Sequence, residues 1–79
     1  VGERVIRPVA TNLIDIDRWP LEPRTLGLVA HFQAGGTVPP IRLVRQPSTP
    51  GRFRILDGRH RLLATKLVGR RTITARYWR

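Results

Sequence analysis

The apolar positions of this chain fall into short runs with two different periods. Leu13-Ile14-Asp15-Ile16-Asp17 alternates, with Ile14 and Ile16 on one side and Asp15 and Asp17 on the other, the pattern of a half-buried strand. Thr72 to Trp78 alternates likewise, setting Ile73, Ala75 and Tyr77 against Thr72, Thr74, Arg76 and Trp78. Two further runs, Ile41 to Val44 and Arg52 to Leu56, read as strands that bury Ile41 with Leu43 and Phe53 with Ile55. Two other segments repeat at helical spacing. The first runs from about Thr25, a candidate cap, to Gln33, with Leu26, Val29, Ala30 and Phe32 as its inner stripe and Gly35-Gly36 as its stop. The second follows Asp57-Gly58, turns Leu62, Leu63, Ala64, Leu67 and Val68 inward, leaves Arg61, Thr65 and Lys66 largely outside, and stops at Gly69. Residues 1–12 show weak periodicity and read as an arm or an edge strand. Trp19 to Arg24 and Gln46 to Gly51 are loops punctuated by proline and glycine. The expectation is a single α+β domain over residues 1–79, with a small mixed sheet and two or three short helices.

Composition narrows the class. A chain of 79 residues buries only about 60–65% of its unfolded surface, so its core is thin. It has no cysteine and no metal-ligand cluster to reinforce that core. No apolar run approaches the roughly 20 residues of a membrane span, and the opening VGERVIRPVA lacks the apolar stretch of a signal peptide. These features point to a cytoplasmic protein without a membrane role.

Charge then changes the picture. The formal net charge is +10, and of the fifteen basic residues only Lys66 is a lysine. A small domain this basic attracts polyanions, and arginine suits planar, forked recognition of phosphate. A coding sequence rich in G and C would also inflate arginine, so position must separate the two readings. It does so most clearly in Ile55 to Gly69, ILDGRHRLLATKLVG, a strand end, a tight turn and a helix start. Arg59, His60 and Arg61 crowd the helix N-terminus, already the positive pole, where the first amides lack helical partners. A glycine there lets the backbone bend and lets a ligand approach it closely. The arrangement suits an anion, with Asp57 able to cap one amide. The competing reading is an ordinary capped helix, its arginines reaching back to Asp57 or to solvent and His60 packing over Leu63, Ala64 and Leu67.

The ordered set of segments resembles the domain shared by ParB partition proteins, including ParB-like nucleases, and sulfiredoxin. Leu13-Ile14-Asp15-Ile16 resembles its opening strand, and Pro20-Leu21-Glu22-Pro23-Arg24 its proline-arginine loop. Leu26 to Gly36 resembles the helix leading to a glycine, and Gly36-Thr37-Val38-Pro39-Pro40-Ile41 the following G-x-x-x-P-[IV] stretch. Gly58, His60, Arg61, Ala64 and Gly69 match the signature [DE]-G-x-[HR]-R-x-x-A…G. The resemblance implies a nucleotide pocket for CTP or ATP with Mg2+. Gly58, Arg59, His60 and Arg61 would line its phosphate end, Arg24 would add a contact, and Gly36, Thr37, Val38, Pro39 and Pro40 would lie beside the base. Two departures bear on chemistry. Arg59 stands where sulfiredoxin has its reactive cysteine, which excludes thiol-based repair of sulfinic acids. Pro39 stands where ParB proteins have a polar residue, which leaves the base open. The metal-coordinating helix and the helix-turn-helix of ParB lie beyond the matching region.

Three functions follow as expectations. The first is a phosphate- or nucleotide-binding module that associates with DNA through Arg52, Arg54, Arg70, Arg71, Arg76 and Arg79. Such contacts position a protein on a backbone without reading sequence. The second is a nuclease or nucleotide hydrolase. Phosphodiester cleavage normally uses converging carboxylates around divalent ions, and the chain has five acids, Glu3, Asp15, Asp17, Glu22 and Asp57. Asp57 and His60 are the candidates nearest the turn, and no metal site is expected. The third is a small plasmid-, phage- or mobile-element interaction domain, a homodimer or a binder of a host protein, anchored by Trp19, Tyr77 and Trp78.

Overall fold

The computed structural model describes residues 2–79. The elements in chain order are strand β1 (Arg4–Ala10), a 3-10 turn (Thr11–Leu13), strand β2 (Ile14–Asp15), helix α1 (Pro23–Gln33), strands β3 (Ile41–Arg45) and β4 (Phe53–Asp57), helix α2 (Arg59–Leu67) and strand β5 (Thr72–Trp78). The strands form one mixed sheet in the order β1-β5-β3-β4-β2. β1 runs antiparallel to β5, β5 parallel to β3, β3 antiparallel to β4, and β4 parallel to β2. The chain is thus α+β with a five-stranded mixed sheet and two α-helices.

One sheet face carries the core. Val9, Ile41, Leu43, Phe53, Ile55, Ile73, Ala75 and Tyr77 are buried on it together with Ile14 from β2 and Leu62 from α2. Phe53 meets Tyr77 edge-to-face, with centroids 4.7 Å apart, a favoured aromatic arrangement. The other face is bare, and alternate residues of β1, β5, β3 and β4 project from it to solvent.

Residues 4–10 form an edge strand rather than an arm, pairing with all of β5 from Arg4↔Trp78 to Ala10↔Thr72. The run at Leu13 is shorter than its alternation suggested, because a 3-10 turn takes Leu13 and only Ile14 and Asp15 join the sheet. α1 begins at Pro23, where a missing amide hydrogen costs nothing and the fixed φ suits a first turn. Thr25 is therefore not the cap; it lies inside the helix, fully buried. The inner stripe follows it through Leu28 and Val29 to Phe32, whereas Leu26 and Ala30 are exposed. On α2 the buried positions are Leu62, Ala64 and Thr65, and Leu67 is exposed. Tyr77 belongs to the core and Trp78 is 57% exposed, so the first is no surface anchor and the second does not close the core.

Candidate nucleotide and phosphate site

The register of β3 on β4 assembles the site. Arg42, just inside β3, pairs with Asp57 at the end of β4. The Pro39-Pro40 approach to β3 is thereby brought beside the turn that leaves β4. Gly58 makes that turn with φ 110°, the left-handed region. A Cβ there would lie 2.5 Å from Cγ2 of Ile41, a fully buried residue, so both backbone and packing require glycine.

α2 starts immediately. Its first helical bond runs from the Leu62 amide to the Gly58 carbonyl at 2.9 Å, so the amides of Arg59, His60 and Arg61 precede the helical ladder. No side chain caps them and no acid occupies the first turn. Asp57 is not the cap that its position suggested. Its Oδ2 instead accepts from Nη2 of Arg61 at 3.2 Å.

Arg61 spans the two halves of the site. Its Nη1 donates to the carbonyls of Pro39 at 3.0 Å and Pro40 at 3.1 Å. The guanidinium thus ties the proline stretch to the helix it serves. Arg59 is steadied from the side of Asp17, its Nε donating to Oδ1 of that residue at 2.7 Å. The bond to Arg59 holds the Asp17 carboxyl below its usual value, and the same bond raises Arg59.

His60 is fixed through α1. Its Nδ1 lies 2.8 Å from Oγ1 of Thr25, and that hydroxyl donates its single hydrogen to the Pro20 carbonyl. With that hydrogen committed, the threonine oxygen accepts, and Nδ1 of His60 must be the donor. Nε2 is therefore the ring atom free to exchange a proton. It stands 3.7 Å from Oε2 of Glu22. The orienting partner absent from the sequence motif is a buried threonine 35 residues away.

These residues surround an open cavity of about 730 Å3, within the range of small-molecule sites. Arg24, Gly58, Arg59, His60 and Arg61 line it, as do Val38 and Pro39. Gly36, Thr37 and Pro40 do not line it, although they hold the stretch that does. The His31 ring occupies the place a Gly36 side chain would need, and its Nε2 donates to the Thr37 carbonyl at 2.7 Å. Arg18, Gly27 and Leu28 complete the wall, and the motifs had singled out none of them. Gly27 sits mid-helix with nothing within 4 Å of an added Cβ, so its missing side chain leaves room on the cavity side of α1. Asp57 is the single carboxylate on the wall, and no group of three or more His, Cys, Asp or Glu side chains gathers among the described residues.

The structure divides the remaining arginines. Arg54, Arg76 and Arg79 lie along the bare face and its β5 end. Arg52 is engaged by Asp15, with Nη2 to Oδ1 at 2.5 Å and Nε to Oδ2 at 3.1 Å. Arg70 stacks over Phe32 of α1 at 4.6 Å, and Arg71 sits beside it in the turn into β5.

No family model matches the sequence, and no curated protein matches it. Solved structures do. Sulfiredoxin from Arabidopsis thaliana superposes with a TM-score of 0.74 at 19% identity, covering 92% of this chain and 83% of that one. The C-terminally truncated chromosome-partitioning protein ParB from Caulobacter crescentus, complexed with CTP-gamma-S, gives 0.76 at 19% identity over 92% of this chain and 43% of that one. C-terminally truncated SbnI from Staphylococcus aureus gives 0.76 at 23% identity over 91% of this chain. The chain spans only 30% of that SbnI structure. With its element order and sheet as described, this chain has the ParB/sulfiredoxin-like fold.

Proposed function

We propose that the domain binds the phosphates of a nucleotide at the Gly58 turn and associates with DNA through its arginine-rich surface. The observation that carries the first part is one cavity uniting uncapped helix amides with Arg24, Arg59, His60 and Arg61. Bare amides and guanidiniums converging on one space are compensated best by an anion with several oxygens. Arg59 and Arg24 are the phosphate ligands in this reading. Arg61 positions Pro39 beside the base, and His60 lines the phosphate end of the cavity. The ParB neighbour complexed with CTP-gamma-S supports a nucleoside triphosphate. The donor set does not fit a metal held by protein side chains, since the wall offers one carboxylate already bound to Arg61. Mg2+ would enter on the triphosphate itself.

Titration calorimetry with CTP and ATP, with and without Mg2+, tests the reading. Arg59→Ala should weaken binding at least tenfold, because a charged hydrogen bond contributes about 1.5–3 kcal/mol. Its thermal unfolding should drop only slightly, since the Asp17 pair it loses is exposed. Absence of heat with every nucleotide would overturn the proposal.

A second reading, nucleotide hydrolysis, is favoured by the fixed orientation of His60, which leaves Nε2 as an acid or base at the cavity wall. Phosphate release from a bound nucleotide, lost in His60→Ala while binding persists, would establish it. Release that survives in His60→Ala would rule His60 out.

A further inference from the structure

The sheet face away from α2 carries a pattern that the Gly58 site does not use. Four of the five acids are held by arginines elsewhere, Asp15 by Arg52, Asp17 by Arg59, Asp57 by Arg61 and Glu3 by Arg79, and Glu22 stands 3.7 Å from His60. Among the described residues Arg4, Arg42, Arg54 and Arg76 have no carboxylate partner, and all four project from the bare face. Pairing across the strands sorts that face into two rows. One row runs Arg4, Trp78, Val44, Arg54, from the pairs Arg4↔Trp78 and Val44↔Arg54 and from the parallel register of β3 and β5 carried two residues on. The next runs Ile6, Arg76, Arg42, from Ile6↔Arg76 and Arg42↔Arg76, and Leu56 lines the same hollow as Arg42 and Arg76. Along each strand a guanidinium therefore alternates with a flat or apolar group: Arg4 with Ile6, Arg76 with Trp78, Arg42 with Val44 and Arg54 with Leu56. Trp78, Ile6 and Leu56 are 57%, 56% and 47% exposed. Arg4 lies 5.5 Å over the Trp78 ring, and Nε of Arg76 is shielded from solvent without an acceptor among the described residues.

We propose that this face binds single-stranded nucleic acid, its guanidiniums following the phosphates and Trp78 stacking on a base. Four unpaired cations rule out a second copy of the same face, which would oppose like charges. They call for an anion. A duplex offers phosphates but hides its bases, leaving Trp78, Ile6 and Leu56 uncovered. An acidic peptide matches the charge but has no π-faces to meet the indole. A single strand supplies both, as in stacking platforms set within basic grooves. The inference rests on the DNA-association half of the proposed function and is independent of nucleotide at the Gly58 turn.

Fluorescence anisotropy with a labelled oligothymidylate, a duplex of equal length and polyglutamate tests it. The single strand should bind more tightly than the duplex or the polypeptide. Trp78→Ala should weaken single-strand binding about 5- to 150-fold, the range for one stacked base, and leave polyglutamate binding unchanged. Arg42→Gln and Arg54→Gln should each reduce the slope of log K against log salt by about 0.7. Circular dichroism of each variant controls for folding. Equal affinity for duplex and single strand, equal affinity for polyglutamate, or a folded Trp78→Ala that binds as before would overturn the single-strand face and leave the broader DNA reading standing. Binding to neither nucleic acid would overturn both.

Discussion

Replacing Arg61 with alanine removes three hydrogen bonds from one guanidinium that is only 19% exposed. Two of them end on the Pro39 and Pro40 carbonyls. Proline has no amide hydrogen, so this stretch can be anchored only through its oxygens and side chains. The third ends on Asp57, whose side chain is 65% exposed and rehydrates readily. Charged hydrogen bonds contribute about 1.5–3 kcal/mol each, but bonds sharing one donor are not additive and exposed acceptors recover water. A loss of about 2–4 kcal/mol is the reasonable range. A domain of this length has roughly 4–12 kcal/mol in all at about 0.05–0.15 kcal/mol per residue. The variant should therefore unfold at markedly lower urea, with a midpoint shift of about 2–4 M if the slope is near 1 kcal/mol/M. Arg61→Lys keeps the charge and loses the fork, so it should recover less than half of the difference. Urea titration followed by circular dichroism and tryptophan fluorescence reads all three proteins. An Arg61→Ala midpoint equal to the parent's would refute the clamp and return Arg61 to the role of a free phosphate ligand.

Gly27→Ala should stabilise the fold by about 0.5–1 kcal/mol, since alanine favours a helix interior and the added Cβ meets nothing. Gly27→Leu should keep the fold but occupy the cavity and abolish nucleotide heat in calorimetry; normal binding by a folded Gly27→Leu would place the ligand elsewhere. Asp15 and Asp17 are both held below their ordinary pKa of 3.8, first by hydrogen bonds from Arg52 and Arg59 respectively. The unfolded chain thus binds more protons in acid, and the pairs stabilise the fold fully above that value and cease to do so as pH falls below it. Asp15→Asn should flatten the acid limb of a melting-temperature profile between about pH 4 and 2, and an unchanged limb would show that the Asp15–Arg52 pair contributes nothing.

The parts of the fold that the sequence displayed are those where burial follows backbone period. Ile73, Ala75 and Tyr77 alternate inward as their spacing requires, and Ile41 with Leu43 and Phe53 with Ile55 do the same from the neighbouring strands. α1 misled because its most buried residue is polar. Thr25 tolerates burial by serving His60 and Pro20 at once, a bond geometry that no period encodes. The phosphate turn was legible because Gly58 and the charges after it are local. Arg61's task was not, since its acceptors are backbone carbonyls 21 and 22 residues earlier and carbonyls leave no mark in a sequence. Asp57 looked like a cap for a related reason: proximity in the chain suggested the nearest amides, but the Arg61 guanidinium one turn along offers a charged partner. Gly27 carried a signal that could have been read, a glycine within an otherwise helical run, where a packing or functional cause is usual.

The pairing of β1 with β5 sets the Arg79 amide 2.6 Å from the Glu3 carbonyl, so the two extremities of the described chain lie side by side. Few extra residues would join them covalently, and such a ring could be reopened at the Gln46–Gly51 loop without cutting a strand. The same adjacency makes the fold easy to splice into a surface loop of a host protein, because its two ends would enter and leave through a single gap.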